Sequence, residues 1–383
     1  MVLYGNEVAI ININKCIKIA KKLKLFPDGV YTPERVDAVW NAFISDRSSG
    51  KTTAWLIVGL IAYVEGGTIT HYVRSKEQMI RESNINKIYS VIESCDYISK
   101  ITNDKYNSIE YRRNVRGFYL VCKDSEGNTI ASDTECCCKV LSIDNNDNYK
   151  SSYQCDKADY VIFDEFINAF YKSGEFVIFC DLLSTLFRKR LTGYIIMLAN
   201  TINRRSEYFD ELGCRDFIET AEQGDKITYE LNGTSVHVEI VGTKLDDRRK
   251  LFNSRYFNFS NLRLNSITGA GWSIDNVPHI TRKADSILVK NVFVHYQTNY
   301  VQLYVVKVNG YGLCIHAVKS NAPKKEDCII YSVSDDFSDK KYIYSKGNDR
   351  FSKWLWGYMY DSKKWFFATN SVGSIIKAYY SAK

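Results

Sequence analysis

The stretch Ser45-Asp46-Arg47-Ser48-Ser49-Gly50-Lys51-Thr52 lies between an apolar run of strand length, Val36–Ile44, and a helical pattern, Lys51–Val64, closed by Gly66 and Gly67. A strand-to-helix turn of this kind presents unpaired backbone N–H groups at a helix N-terminus, where the helix dipole favours anions. Gly50-Lys51-Thr52 is its informative core and reads as a degenerate P-loop. Lys51 would reach the outer phosphates of a nucleotide and Thr52 would ligate Mg²⁺, with Arg47, Ser48, Ser49, Gly50 and Thr53 completing the phosphate cradle. Ser45 replaces the glycine that usually opens such a loop, so this stretch alone leaves a nucleotide loop and a plain helix-capping turn equally open.

A second stretch decides between them. Tyr160-Val161-Ile162-Phe163-Asp164-Glu165 is a buried-strand pattern ending in two carboxylates. Asp164 is placed to hold the Mg²⁺ shell, and Glu165 to orient or deprotonate water for in-line attack on a phosphoryl group. A plain strand-and-turn reading leaves the ordered pairing of phosphate and metal elements unexplained. A third strand, Tyr194–Ala199, leads into Asn200, whose amide suits contact with the terminal phosphate or its water. Between these strands, Glu175–Arg190 reads as a helix ending in Arg188, Lys189 and Arg190. Taken by itself, that cluster is cation placement at a helix C-terminus.

Composition sets the frame. The chain has 383 residues, which suits two compact domains, and its 45% hydrophobic and 25% charged residues are globular proportions. A net charge of +7 favours polyanionic partners without requiring them. The 11 cysteines are an odd number with no C-x-x-C pair, so a reduced compartment and structural roles are expected, Cys136-Cys137-Cys138 included. No apolar run approaches the roughly 18 residues of a membrane span, and no cleavage pattern follows the basic Lys15–Lys24 stretch. The protein is therefore expected to be soluble and not exported, and its five scattered histidines mark no metal site.

From Val36 to about Asn203, strand-length apolar runs alternate with helical patterns, as in a parallel sheet with crossover helices. Thr68–Arg74 reads as a strand, Ser75 as the cap of a further helix, and Tyr106–Ser132 as an antiparallel insertion at a sheet edge. Asp144–Lys157 reads as a surface loop. Beyond about Glu219 the segments are β-rich, including Lys226–Leu231, Ser235–Val241, Ser286–His295, Tyr300–Val308 and Leu313–Val318. The domain reading is 1–205 for the nucleotide domain, 206–265 for a linking subdomain and 266–383 for a C-terminal domain.

These motifs, in this order, resemble the ATPase lineage of large terminases, in which Arg47 matches the P-loop arginine. A closer resemblance, to the DNA-packaging (encapsidation) ATPases of small podoviruses, runs through Val161–Phe166, Leu186-Phe187-Arg188-Lys189-Arg190 and Leu198-Ala199-Asn200. Tyr72-Val73-Arg74 resembles the strand after that family's P-loop helix. The resemblance implies an α/β ATPase domain of the RecA-like P-loop class, with a mostly parallel central sheet. It also implies a smaller β-rich α+β domain of vestigial RNase H type. It further implies ATP and Mg²⁺ as cofactors, and Arg188 as a finger acting in trans on a neighbouring subunit's nucleotide. The partners it implies are double-stranded viral DNA, a capsid portal and a homopentameric ring, with a packaging RNA in some members. The expected location is the cytoplasm of an infected bacterial host, transiently on the procapsid.

Full terminases add a carboxylate-rich nuclease, yet Ser286–Lys325 contains no Asp or Glu. An inactive nucleic-acid-binding domain is therefore expected, with Lys290, Lys307, Lys319, Lys324, Lys325, Lys363 and Lys364 as candidate phosphate contacts. The alternatives are a packaging enzyme with an active metal-dependent nuclease, and a P-loop helicase unconnected with packaging.

Overall fold

The computed structural model describes residues 12–27, 30–45, 49–152, 159–167, 174–188, 193–200, 204, 206–242, 278–280, 287–296, 298–308, 310–323, 328–332, 342–344 and 350–382. Residues 1–169 and 174–272 form one compact unit, and residues 170–173 and 273–383 form another.

The first unit is built on a ten-stranded sheet. Its strands are β1 (Trp40–Ser45), β2 (Thr70–Arg74), β3 (Ser108–Arg112), β4 (Gly117–Lys123), β5 (Thr129–Ser132), β6 (Cys138–Ser142), β7 (Tyr160–Asp164), β8 (Tyr194–Asn200), β9 (Lys226–Leu231) and β10 (Thr234–Ile240). The order is β3-β4-β6-β2-β7-β8-β1-β10-β9, with β5 against β4. The six strands from β6 to β10 in that order run parallel, and antiparallel β9 and β3–β5 finish the two edges. Buried parallel strands read as continuous apolar runs, and β7 is buried at every position.

Among the described residues, three longer helices belong to this unit: α1 (Ile13–Lys22), α2 (Lys51–Gly66) and α3 (Glu175–Leu186). In α1, Ile13, Cys16, Ile17 and Ala20 form the buried stripe while its lysines stay outside. In α2, by contrast, every residue from Ala54 to Ala62 is buried, as expected of a helix enclosed by other elements. Gly59 permits its close approach to the sheet, since a Cβ there would lie 2.3 Å from Thr70 Oγ1. Gly67, in the left-handed region at φ 68°, ends the helix.

Several expectations differ from the observed structure. The linking subdomain assigned to 206–265 does not stand apart where it is described. Strands β9 and β10 are a hairpin of the main sheet, and β10 pairs in parallel with β1 from Trp40↔Val236 to Ile44↔Ile240. Alternating burial makes this hairpin read like any edge element, and only the long-range pairing assigns it to the first sheet. The polar stretch after Asp144 is a helical turn, Asn146–Ser152, tied to α3 by Asn146 Nδ2 donating to Asp181 Oδ2 at 2.8 Å. Ser75 caps no helix, because a 3₁₀ turn begins at Glu77 with Lys76 in the capping position. Helix α3 stops at Leu186, so Arg188 lies beyond its last turn.

The second unit carries a six-stranded sheet of β11 (Ile287–Tyr296), β12 (Asn299–Val308), β13 (Gly312–Ser320), β14 (Cys328–Ser332), β15 (Tyr342–Tyr344) and β16 (Trp365–Phe367). The order is β15-β14-β11-β12-β13-β16. Strands β11 to β13 are an antiparallel meander, while β14 runs parallel to β11 and β15 parallel to β14. Residues 350–360, partly π-helical, and α4 (Asn370–Ala382) supply Leu355, Trp356, Met359, Ile376 and Tyr379 to a core with Val294, Val301, Leu303 and Ile315. No helix among the described residues is long and apolar enough to cross a membrane.

Candidate nucleotide site

Parallel register brings the three motif strands to one end of the first sheet. Ser45 at the end of β1 pairs with Asn200 at the end of β8, and Asp164 at the end of β7 pairs with Leu198. A cleft of about 400 Å³ opens there, lined by Ser49, Gly50, Lys51, Thr52, Thr53, Asp164, Glu165, Ala199 and Asn200. The phosphate-loop and carboxylate residues named from sequence thus share one cavity wherever they are described. Arg47 and Ser48 lie outside the described residues.

The loop is braced by its own side chains. Ser45 ends β1 in extended backbone, so no glycine is needed there, and its hydroxyl lies 2.6 Å from Ser49 Oγ. Lys51, buried at the start of α2, donates from Nζ to Ser45 Oγ at 3.0 Å and to Asn200 Oδ1 at 2.9 Å. Helix geometry leaves the N–H groups of Lys51, Thr52 and Thr53 without helical carbonyls, since the first bond of α2 runs from Ala54 N to Gly50 O at 2.9 Å. A lysine and a helix N-terminus at the head of one cleft suit an anion such as a triphosphate.

Gly50 cannot be another residue without cost. Its φ is +79°, and an added Cβ would lie 1.8 Å from Val30 Cγ1. The segment carrying Val30 is held in place by Tyr31 N donating to Ser49 O at 2.8 Å. Gly50→Ala should therefore lose about 1–2 kcal/mol from the backbone conformation alone, with the Val30 clash adding to it. Denaturant unfolding of the two proteins measures the loss, and equal midpoints would contradict the geometry.

Asp164 is 6% exposed and meets the loop through Thr52, whose Oγ1 lies 3.3 Å from each carboxylate oxygen. Hydroxyl and carboxylate are hard oxygen donors of the kind Mg²⁺ takes while keeping several of its waters, so the pair fits that ion. Tyr72 donates its hydroxyl to Asp164 Oδ2 at 2.6 Å. Burial, reinforced by the Asp164 charge, pushes the Tyr72 phenol well above its ordinary range, so it remains a donor.

Glu165 sits at the cleft edge with φ 56°, a left-handed conformation uncommon for a residue with a side chain. Its Oε2 is 2.9 Å from Arg74 Nη1, which also lies 3.7 Å from Asp164 Oδ2. Sequence reasoning gave neither Tyr72 nor Arg74 a role. The available signal was their place at the end of the strand beside β7, with Val73 aligned to Phe163.

Arg188 is exposed just past α3, while Lys189 and Arg190 lie outside the described residues. In the second unit Lys307, Lys319 and Lys363 are exposed, Lys290 lies in β11, and Lys364 Nζ sits 5.2 Å from the centre of the Tyr358 ring. Lys307 pairs with Leu313 near the β12–β13 turn and Lys319 with Val301 at the opposite end of the hairpin, so these two do not form one cluster. Lys324 and Lys325 fall outside the described residues. Among the described residues, no group of three or more His, Cys, Asp or Glu side chains gathers to hold a metal ion.

No family model and no curated protein matches the sequence. Solved structures do match it. The Phi-28 gp11 DNA packaging motor aligns with a TM-score of 0.54 and 16% identity, over 95% of this chain and 96% of that one. The viral genome packaging motor assembly of bacteriophage Phi-29 aligns with a TM-score of 0.53 and 16% identity, over 91% of this chain and 96% of that one. Along nearly its whole length, the chain has the fold of these packaging-motor proteins.

Proposed function

We propose that the chain is an ATP-hydrolysing motor subunit that drives double-stranded viral DNA into an empty capsid shell. One observation carries the reading: Lys51, Thr52, Asp164, Glu165 and Asn200 line a single cleft at the ends of neighbouring parallel strands, in a fold shared with two packaging motors. Lys51 and the N-terminus of α2 bind the phosphates. Asn200, already bonded to Lys51, reports the state of the terminal phosphate to the chain that follows β8. Thr52 and Asp164 would hold a magnesium ion, which would supply charge neutralisation for the triphosphate. Glu165 orients the attacking water and takes its proton, and Arg74 fixes the Glu165 carboxylate at the cleft edge until it does so.

Arg188 completes the site from a neighbouring subunit, which makes the working form a ring, and a pentamer is the reading that the sequence resemblance favours. Such a ring would work at a capsid portal in the infected cell, in some family members on a packaging RNA. The second unit serves as a nucleic-acid-binding domain derived from an RNase H-type nuclease. The order β13-β12-β11-β14-β15, with three antiparallel strands followed by two parallel ones, supports that origin. The absence of Asp and Glu from Ser286–Lys325 supports the loss of cleavage, and the surface lysines supply phosphate contacts. Residues 1–205 hold the motifs of the ATPase domain, to which β9 and β10 add an edge.

The decisive experiment mixes purified protein, DNA, ATP and empty capsid shells, then adds nuclease. ATP-dependent protection of full-length DNA is expected. Strand separation without capsids would favour a helicase instead, and protection that needs no ATP would remove the motor reading.

A further inference from the structure

We infer that Tyr72 is a positioning residue for the divalent cation that accompanies the nucleotide, acting by holding the Asp164 carboxylate in one orientation. The inference rests on reading the cleft as a nucleotide site and concerns a residue that none of the phosphate or metal motifs contains.

Asp164 receives one fixed donor on each oxygen. The Tyr72 hydroxyl donates to Oδ2 at 2.6 Å, and the Glu165 backbone N–H donates to Oδ1 at 3.0 Å. Bonds at both oxygens prevent the carboxylate from turning about its Cβ–Cγ bond. The observed consequence is symmetric: Thr52 Oγ1 stands 3.3 Å from both oxygens. A backbone N–H is present whatever residue occupies position 165, so of these two shorter bonds the Tyr72 one depends on side-chain identity, while Thr52 Oγ1 and, at 3.7 Å from Oδ2, Arg74 Nη1 also face the carboxylate.

Strand geometry explains why a tyrosine does this. Strands β2 and β7 are parallel and pair Tyr72 with Ile162. Side chains two apart on a strand share a face, so Tyr72 and Asp164 point to the same side of the sheet, offset by about 6.6 Å of strand rise. A phenol spans that offset, whereas a serine or asparagine at position 72 would fall short. The ring is 1% exposed and packs in the core that includes α2, so a phenylalanine would fill the same space. Only the hydroxyl is then in question. Groups bonded to a metal ligand from behind commonly alter metal affinity or activity by about 10–100-fold when removed.

The test uses the full chain and a fluorescent ATP analogue, titrated with Mg²⁺ or held in EDTA. Tyr72→Phe should raise the Mg²⁺ concentration for half-maximal stimulation of nucleotide binding by about tenfold or more. Its affinity in EDTA should match the parent chain, with the variant still folded at the assay temperature despite the lost buried hydrogen bond. In an Asp164→Asn background the same substitution should cause no further shift, because the carboxylate it acts through is gone. Unchanged Mg²⁺ dependence overturns the proposal. So does an equal shift in the Asp164→Asn background, or a loss of EDTA binding in step with melting, which marks a purely structural tyrosine. If Lys51→Ala binds the analogue in EDTA as well as the parent does, the nucleotide-site reading itself fails, and this inference falls with it.

Discussion

Glu165→Gln should bind ATP about as tightly as the parent chain yet turn it over at least a hundredfold more slowly, while Lys51→Ala should lose both binding and turnover. The carboxylate of Glu165 is at the edge of the cleft, and general-base groups commonly contribute about 10²–10⁴ in rate. Glutamine keeps the shape and can still accept from Arg74, so the ground-state site persists without the base. Lys51 is different in kind. Its buried ammonium is the cation at the head of the phosphate loop, poised on the neutral oxygens of Ser45 and Asn200, and a bound phosphate would draw it by charge. Equilibrium binding of a fluorescent ATP analogue and release of inorganic phosphate read the two quantities separately. Normal hydrolysis in either variant would remove the assignment of the site.

Arg188→Ala should by itself reduce ATP hydrolysis by about 10³-fold or more, the scale of an arginine that stabilises phosphoryl charge in the transition state. Arg188 is exposed just beyond α3, a position open to a neighbouring molecule. Mixing Arg188→Ala with Glu165→Gln subunits distinguishes action on a neighbour from action within one chain. In a mixed ring, some interfaces pair an intact Glu165 with an intact Arg188, and partial recovery of ATPase activity should appear. If the arginine worked within its own subunit, every site would remain defective and the mixture would be as inactive as its parts. That second outcome would also remove the argument for an obligatory ring.

Much of the first unit was legible from local patterns. The apolar runs at β1, β7 and β8 and the apolar stretch of α2 closed by Gly66 and Gly67 are continuous and well bounded, and Lys51, Thr52, Asp164, Glu165 and Asn200 follow from short motifs at their ends. Legibility failed where the local signal was weak or misleading. The helical turn Asn146–Ser152 is polar in sequence apart from Tyr149, and its hold on α3 through Asn146 and Asp181 joins residues far apart in the chain. Arginine and lysine after Leu186 suggested a continuing helix, although the helix stops before them.

By itself the sequence determined the alternation of strands and helices, the turn that carries Lys51 and the strand that ends in Asp164 and Glu165. Each of these is written in a window of a few residues, as a period or a spacing. Only the tertiary structure decided that β10 extends the first sheet beside β1, and that Tyr72 and Arg74 reach the two carboxylates. The physical reason is that these depend on which parallel strands become neighbours and in what register. That is settled by burying side chains across the whole sheet, and no local stretch of sequence contains it.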